Sequence, residues 1–183
     1  MVDRRKKDGF TIVELLIVIV VIGILATITI VSYNGVQKRA NDTKRVSDIN
    51  ALSKGMTMWA VQTDKTPIDT AAGYNGNGTG WVYSGAFAGD NGAYTTDIES
   101  VLIDAQLLSP GVRDPKTPTG NGSYMFYRCN YTTKTSLYGF FARLESPQSA
   151  PSNDFARWST EGCIGSPLSS QYGMNYAKLF TYE

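Results

Sequence analysis

Glu14 is the one charged residue in an apolar run of 22 residues, positions 10–31. About 20 apolar residues are enough for a helix to cross the hydrocarbon core of a bilayer. A carboxylate inside such a span costs several kcal/mol unless it has a partner, so it marks a candidate functional site. The basic stretch Arg-Arg-Lys-Lys at positions 4–7 precedes the run and favours a cytoplasmic N-terminus. The pattern predicts a membrane-spanning helix whose glutamate has a specific partner.

Two simpler interpretations of this run compete with that one. A secretory signal peptide has an apolar region of about 7–15 residues and then a small-x-small cleavage site, but this run is longer and has no such site. A plain signal anchor accounts for the length and for the basic flank. It does not account for a glutamate at the fifth position of the apolar run.

Other chemistry is poorly represented in the sequence. The chain has no histidine, which excludes histidine-based catalysis and histidine-ligated metal sites. The glycine-rich residues 73–80 lack the Lys-Ser/Thr of a phosphate-binding loop. Glu145, Asp154 and Glu161 do not have the spacing of calcium ligands. We therefore expect no catalytic residue, no bound metal and no cofactor.

Charge argues against nucleic acid as a direct partner. The net charge of the 183 residues is +1. Residues 1–9 contain four Lys/Arg and two Asp, so 13 basic and 14 acidic residues remain beyond them. This near-neutral remainder lacks the basic patch typical of nucleic-acid binders.

The two cysteines, Cys129 and Cys163, both follow the predicted membrane segment. They would therefore lie outside the cytoplasm, where disulfides form and persist. One Cys129–Cys163 disulfide is the favoured interpretation, and two buried free thiols are the alternative.

The helical pattern continues beyond the apolar run as an amphipathic stretch, residues 32–62. Apolar residues recur there at spacings of three and four, at Val46, Ile49, Leu52, Met56, Trp59 and Ala60. Asp42 with Arg45, and Lys44 with Asp48, are spaced to pair along the helix. This charged stretch is typical of a solvated helix face, although contact with lipid headgroups or with another subunit is also open.

The remainder, residues 63–183, predicts a globular head. Pro67 ends the helix, and Thr96 with Glu99 has the spacing of a capping box that opens a short helix to about Leu108. Strand-like stretches occur at residues 81–88, 124–131, 137–144, 155–160 and 174–182, the second and third reading as an antiparallel hairpin. The fold class is therefore α+β, with the second half of a long N-terminal helix packed against a small antiparallel sheet.

Residues 9–19, Gly-Phe-Thr-Ile-Val-Glu-Leu-Leu-Ile-Val-Ile, resemble the class III signal of type IV pilins and type II secretion pseudopilins. The similarity extends through residues 22–26 to Ser32 and Tyr33. One departure is Val31, which stands where the family usually has a helix-breaking proline. That substitution puts in doubt any kink at this position.

The resemblance implies how the chain is processed and assembled. An aspartyl prepilin peptidase would remove residues 1–9 by cutting after Gly9 and would N-methylate Phe10. Glu14, one helical turn from the new Phe10 amine, would then be its counter-charge or that of a neighbouring subunit. The expected partners are copies of the chain and other pilins, the prepilin peptidase, an inner-membrane assembly platform, and membrane lipid before assembly.

Three functional hypotheses follow. The first is a structural subunit of a type IV pilus, single-pass in the membrane before assembly and on the cell surface afterwards, serving adhesion, twitching motility or DNA uptake. The second is a pseudopilin of a type II secretion-like system. The third is a membrane-tethered extracellular domain in which Glu14 is incidental.

Overall fold

The structure is a computed structural model, and it describes residues 10–65, 80–82, 97–116, 124–129, 137–146, 153–163 and 172–182. Two compact units divide the chain, residues 1–38 and residues 39–183. The predicted cleavage position, Gly9, lies outside the described residues, as do residues 83–96, which include most of one predicted strand.

Helix α1, Ile12–Thr63, is a continuous α-helix of 52 residues, as the sequence predicts. It passes without interruption through Gly23 and Val31, so the described helix has no break where the family usually carries a proline. The helix ends just before Asp64, whose backbone is left-handed with φ of 53°. Asp and Asn reach this conformation more readily than most residues, and one such residue commonly ends a helix.

A four-stranded antiparallel sheet forms the centre of the second unit. Its strands are β1 (Gly80–Trp81), β2 (Met125–Arg128), β3 (Leu137–Ala142) and β4 (Tyr176–Thr181), in the order β1-β2-β3-β4. The predicted antiparallel pairing of β2 with β3 is confirmed, and in its register Phe126 lies opposite Phe140 and Met125 opposite Phe141. The predicted closing strand is also confirmed, since β4 pairs with β3.

The two faces of the sheet belong to different apolar clusters. Phe126, Phe140 and Tyr138 join one cluster with the buried stripe of α1, Ile49, Leu52, Met56, Trp59 and Ala60, and with Ile98 and Leu102 of helix α2 (Ile98–Asp104). The opposite face joins a second cluster formed by Met125, Leu137, Phe141, Trp158, Met174, Ala177, Leu179 and the two cysteines. Neighbouring strand residues point to opposite faces, so consecutive pairs such as Phe140 and Phe141 serve both layers.

Two predictions about local structure are wrong. Residues 155–160 belong to helix α3, Asn153–Thr160, and not to a strand. Phe155 and Trp158 are three residues apart, which places them on one helix face, and both pack edge-on against the ring of Phe141. Helical spacing thus places both aromatic rings on one side of α3, where Trp158 is buried and Phe155 is partly buried.

The predicted capping box of α2 is also wrong. The N-cap is Asp97, without a side-chain cap, and Thr96 lies outside the described residues. Glu99 instead accepts hydrogen bonds from the Gly111 amide at 3.2 Å and from Arg113. The helix ends at Asp104, before the predicted Leu108, and Gln106 then has a left-handed backbone.

Candidate functional site

Glu14 occupies the third helical position of α1, and it closes a reciprocal cap with Thr11. The Thr11 amide and the Thr11 hydroxyl each donate to Glu14 Oε2 at 2.8 Å. The Glu14 amide in turn donates to the Thr11 hydroxyl oxygen at 3.2 Å. This is the geometry of a capping box, in which two backbone donors without helical partners are satisfied reciprocally.

The cap leaves the other carboxylate oxygen available. Among the described residues, no donor reaches Glu14 Oε1. A carboxylate has two oxygens that can accept several hydrogen bonds, so the Thr11 contacts do not exhaust it. Phe10, two residues before the helix, is 91% exposed. The arrangement holds a fixed, negatively charged acceptor at the start of the apolar helix.

The apolar side chains that follow are uncovered by the rest of the described chain. Every large apolar residue between Ile12 and Val36 is between 47% and 84% exposed. By length and composition α1 contains a segment apolar enough to cross a membrane, and none of that segment is buried. Burying apolar surface is the main driving force for association. This face therefore requires either lipid or other helices.

Two threonines inside the run form hydrogen bonds from their hydroxyls to the backbone of the same helix. Thr27 and Thr29 donate to the carbonyl oxygens of Gly23 and Leu25, four residues earlier, each at 2.8 Å. Because these hydroxyls bond within the helix, they do not need a polar partner in an apolar environment.

A second polar cluster lies in α1 just before its apolar stripe, and it differs from the predicted solvated face. Asp42, Arg45 and Asp48 are buried. Arg45 donates to Asp114 through Nε at 2.6 Å, to Asp42 through Nη1 at 2.9 Å and to Glu145 through Nη2 at 2.8 Å. The predicted Asp42–Arg45 and Lys44–Asp48 pairs are present. The interpretation of this stretch as fully solvated is wrong, because one face packs into the head.

The charges in this cluster stabilise each other. Burial lowers the pKa of Arg45, but hydrogen bonds and charges from Asp114, Glu145 and Asp42 outweigh burial and raise the pKa above its usual value. The Arg45 hydrogen bond lowers the pKa of Glu145, with Lys116 adding to the effect against a smaller opposing contribution from burial. Buried charges are tolerated when they are paired in this way. The cluster joins α1 to two loops of the head.

The cysteines form the predicted disulfide. Cys129 and Cys163 are bridged and buried, with a Cα–Cα distance of 4.8 Å. The bridge joins the end of β2 to the turn after α3. It lies in the apolar cluster on the sheet face opposite α1.

The acidic residues considered for calcium have other partners. Glu145 binds Arg45 and Lys116, Asp154 accepts from the Leu179 amide, and Glu161 pairs with Arg157. Within the described ranges no group of three or more Asp, Glu, Cys or His side chains could hold a metal ion.

Sequence reasoning did not identify two features of these sites. The Thr11-x-x-Glu14 spacing is itself a capping-box signal, so this cap could have been predicted from the sequence. The ion pair between Arg45 and Asp114 could not have been predicted from local spacing, because the two residues are 69 positions apart in the chain.

Comparison with known proteins supports the interpretation of the N-terminus. Residues 4–30 match the family model described as the prokaryotic N-terminal methylation motif. The chain is 35% identical over 65 residues to the type II secretion system core protein G of Aeromonas hydrophila, covering 36% of this chain and 46% of that protein. It is 37% identical over 62 residues to the protein of the same name in Escherichia coli (34% and 43% covered).

A relative from a pilus is similar to a comparable degree. The type IV wide pilus major component PilA4 of Thermus thermophilus is 38% identical over 68 residues, covering 37% of this chain and 52% of that protein. The chain thus spans about half the length of the curated relatives it matches. No solved structure matches the chain significantly. The names of these relatives denote a core protein of a secretion system and the major component of a pilus.

The fold agrees with the same comparison, since a long apolar N-terminal helix and a small antiparallel sheet are the α+β arrangement that the resemblance implies. The chain therefore carries a prepilin-like N-terminal methylation motif and resembles the type IV pilins and the type II secretion pseudopilins.

Proposed function

We propose that this chain is a structural subunit of a type IV pilus, built by side-by-side packing of the apolar half of α1. The observation that carries the proposal is the uncovered apolar face of residues 12–36 with one capped carboxylate at its start. Copies of the same helix would bury this face. The domain plan is a leader at residues 1–9, a filament-core helix at 10–31, its amphipathic continuation at 32–62 and a head at 63–183.

Processing would create the missing partner of Glu14. Cleavage after Gly9 by a prepilin peptidase exposes an amine on Phe10, which the same enzyme would methylate. The free oxygen Oε1 of Glu14 is suited to accept that ammonium, from its own chain or from a neighbouring subunit, while Oε2 stays with Thr11. A buried carboxylate needs such a pair, so the contact would favour one axial stagger between helices.

The subunit would wait in the inner membrane, surrounded by lipid, and an assembly platform would then add it to the filament. The filament would be extracellular and would contain copies of the chain together with other pilins. Adhesion, twitching motility and DNA uptake are the functions that such a filament serves. A second candidate is a pseudopilin of a secretion system, because relatives named type II secretion system core protein G match this chain.

The test replaces Glu14 by Gln, which keeps the shape and removes the charge. We expect the Glu14→Gln protein to start at N-methyl-Phe10 by intact mass and yet to be absent from filaments sheared from cells. Asp64→Asn is the matched control, because it removes an exposed carboxylate at the far end of α1. Normal filaments from the Glu14→Gln strain would refute the role of this charge.

The two candidates differ in the phenotype of a deletion strain. Loss of surface filaments with normal secretion of exported enzymes supports the pilus. Loss of that secretion, with surface filaments unchanged, supports the pseudopilin.

A further inference from the structure

Lys38 and Arg39 are consecutive exposed cations of α1, seven and eight residues after the apolar run ends at Val31. On a solvated helix they would have a nearby counter-charge, because Asp42 is four residues after Lys38 and three after Arg39. The structure turns Asp42 inward instead. Asp42 Oδ1 accepts from Arg45 at 2.9 Å and from the Glu145 amide at 2.9 Å.

Two further carboxylate oxygens of this stretch, one of Asp42 and one of Asp48, also accept hydrogen bonds. Asp42 Oδ2 accepts from the Ser146 amide at 2.7 Å. Asp48 Oδ2 accepts from Lys44 at 2.6 Å and from the Tyr124 hydroxyl at 2.7 Å. No carboxylate in the described part of the chain pairs with Lys38 or Arg39. The head therefore sequesters the acidic half of a mixed charge run and leaves two positive charges at the surface.

These two cations lie at a defined height along the helix. At 1.5 Å per residue their backbones are about 10–12 Å beyond Val31, the last residue of the apolar run. The headgroup region adds about 5–8 Å on each side of the hydrocarbon core. If the apolar run spans the membrane with its N-terminus in the cytoplasm, the backbones of Lys38 and Arg39 lie just outside the headgroups of the opposite leaflet. Their long side chains can then extend back to the phosphates. Cations are normally depleted on that translocated side, so their presence calls for a partner.

We propose that Lys38 and Arg39 bind the phosphates of anionic phospholipids in the leaflet opposite the basic residues 4–7, and so fix the depth of the subunit before assembly. The proposal rests on the membrane stage of the proposed function and does not require polymerisation. Guanidinium and ammonium groups are the side chains best suited to phosphate. Entry into a filament would then require these lipid contacts to break.

The experiment measures lipid selectivity next to these residues. A Val36→Trp reporter is introduced at a position that is 66% exposed, and the full chain is reconstituted in phosphatidylcholine vesicles. Quenching by a minor fraction of brominated phosphatidylglycerol is compared with quenching by the same fraction of brominated phosphatidylcholine. The basic residues 4–7 would lie in the other leaflet, away from the reporter. Because the chain has three tryptophans of its own, the quenching of the reporter is taken as the difference from the unsubstituted chain under the same conditions.

We expect stronger quenching by phosphatidylglycerol, with a preference that falls about fivefold for each cation removed in Lys38→Gln and Arg39→Gln. Added salt should reduce the preference, as expected for charges at a membrane surface. The matched control is Lys54→Gln, which removes an exposed cation about 22 Å farther along α1 than Arg39. That variant should keep the full preference.

Two results would overturn the proposal. One is a preference for phosphatidylglycerol that is unchanged when both Lys38 and Arg39 are replaced by Gln. If cells with this double variant also lack filaments, the two cations contact another subunit and not lipid. The other is an equal loss in Lys54→Gln, which would mean a general effect of net charge. Neither result bears on whether Glu14 is needed for assembly, so failure here is distinguishable from failure of the proposed function.

Discussion

Replacing Arg45 by methionine removes the cation that bonds to all three carboxylates of the buried cluster, while keeping an unbranched side chain of similar length. The side chain of Arg45 is 3% exposed, and its contacts reach Asp42, Asp114 and Glu145. Without Arg45, three carboxylates would face each other, and among the described residues Lys116 would remain as a cation paired with Glu145.

The expected destabilisation of Arg45→Met depends on which hydrogen bonds each carboxylate retains. Asp42 retains the amides of Glu145 and Ser146, and Asp114 retains the Lys116 amide at 2.9 Å. These contacts reduce the loss, but each is a hydrogen bond from an uncharged amide, and the Asp114 side chain is fully buried. Breaking a buried ion pair by removing one partner costs about 3–5 kcal/mol. That loss is a large fraction of the free energy of unfolding of a typical domain, which is about 5–15 kcal/mol.

Lys116→Met is the matched control. It removes the same charge from the same cluster, but Lys116 is 64% exposed and bonds only to Glu145 through its side chain, at 3.0 Å. An exposed ion pair contributes about 0–1 kcal/mol. Urea unfolding of the full chain in detergent, followed by tryptophan fluorescence, measures both variants. If Arg45→Met costs no more than Lys116→Met, the cluster does not hold the head to α1.

The pH dependence gives an independent check. Arg45 lowers the pKa of Glu145 in the folded protein, so this carboxylate contributes stability above its unfolded pKa of about 4.3. The contribution is lost as pH falls through the lower, folded pKa. In Arg45→Met that lowering is largely removed, and protonation relieves the repulsion between carboxylates. The difference in unfolding free energy between the two proteins should therefore shrink on acidification, whereas a difference that grows would contradict the assignment.

Three further predictions concern the head. Reducing the Cys129–Cys163 bridge, which closes a loop of 34 residues, should lower the unfolding free energy by about 4 kcal/mol in the chain-entropy account, seen as a lower Tm with dithiothreitol; an unchanged Tm would contradict it. Gly139→Ala should destabilise by about 1–3 kcal/mol, because the new Cβ would lie 2.6 Å from Leu179 Cδ2; an unchanged urea midpoint would show that β4 accommodates it. Gln106→Gly should stabilise by about 1 kcal/mol, since φ is 59° there and a side chain is disfavoured in that conformation; a lower midpoint would refute this.

The elements with strong periodic signals were predictable. Ile49, Leu52, Met56 and Trp59 repeat at helical spacing, and the structure buries all four residues. The alternation of side chains and the high aromatic content likewise predicted β3 and β4. Each of these strands has one side in each of the two apolar clusters, so its residues must suit both. The local pattern of apolar residues is sufficient to predict a helix or a strand wherever one face of that element is apolar over several helical turns or several pairs of strand residues.

The errors occurred where the deciding partner is remote in sequence. Glu99 has the spacing of a capping residue, yet Gly111 and Arg113 take its carboxylate. The charges from Asp42 to Asp48 look solvated in sequence because Asp114 and Glu145 approach from 69 and 100 residues away. Residues 155–160 are too short for periodicity to separate strand from helix, and the packing of Phe155 and Trp158 on Phe141 decides the matter.

Thr11 provides the last test, because its hydroxyl both donates to Glu14 and accepts from the Glu14 amide. Thr11→Val removes both contacts and keeps the β-branched shape, whereas Thr11→Ser keeps both and serves as the control. Loss of a helix N-cap costs about 1 kcal/mol, too little to unfold a helix of 52 residues. If Glu14 needs this cap in order to present Oε1 to an incoming ammonium, Thr11→Val should reduce the yield of sheared filaments at equal amounts of processed protein, and Thr11→Ser should not. Equal yields from the two variants would show that Glu14 finds its partner without the cap.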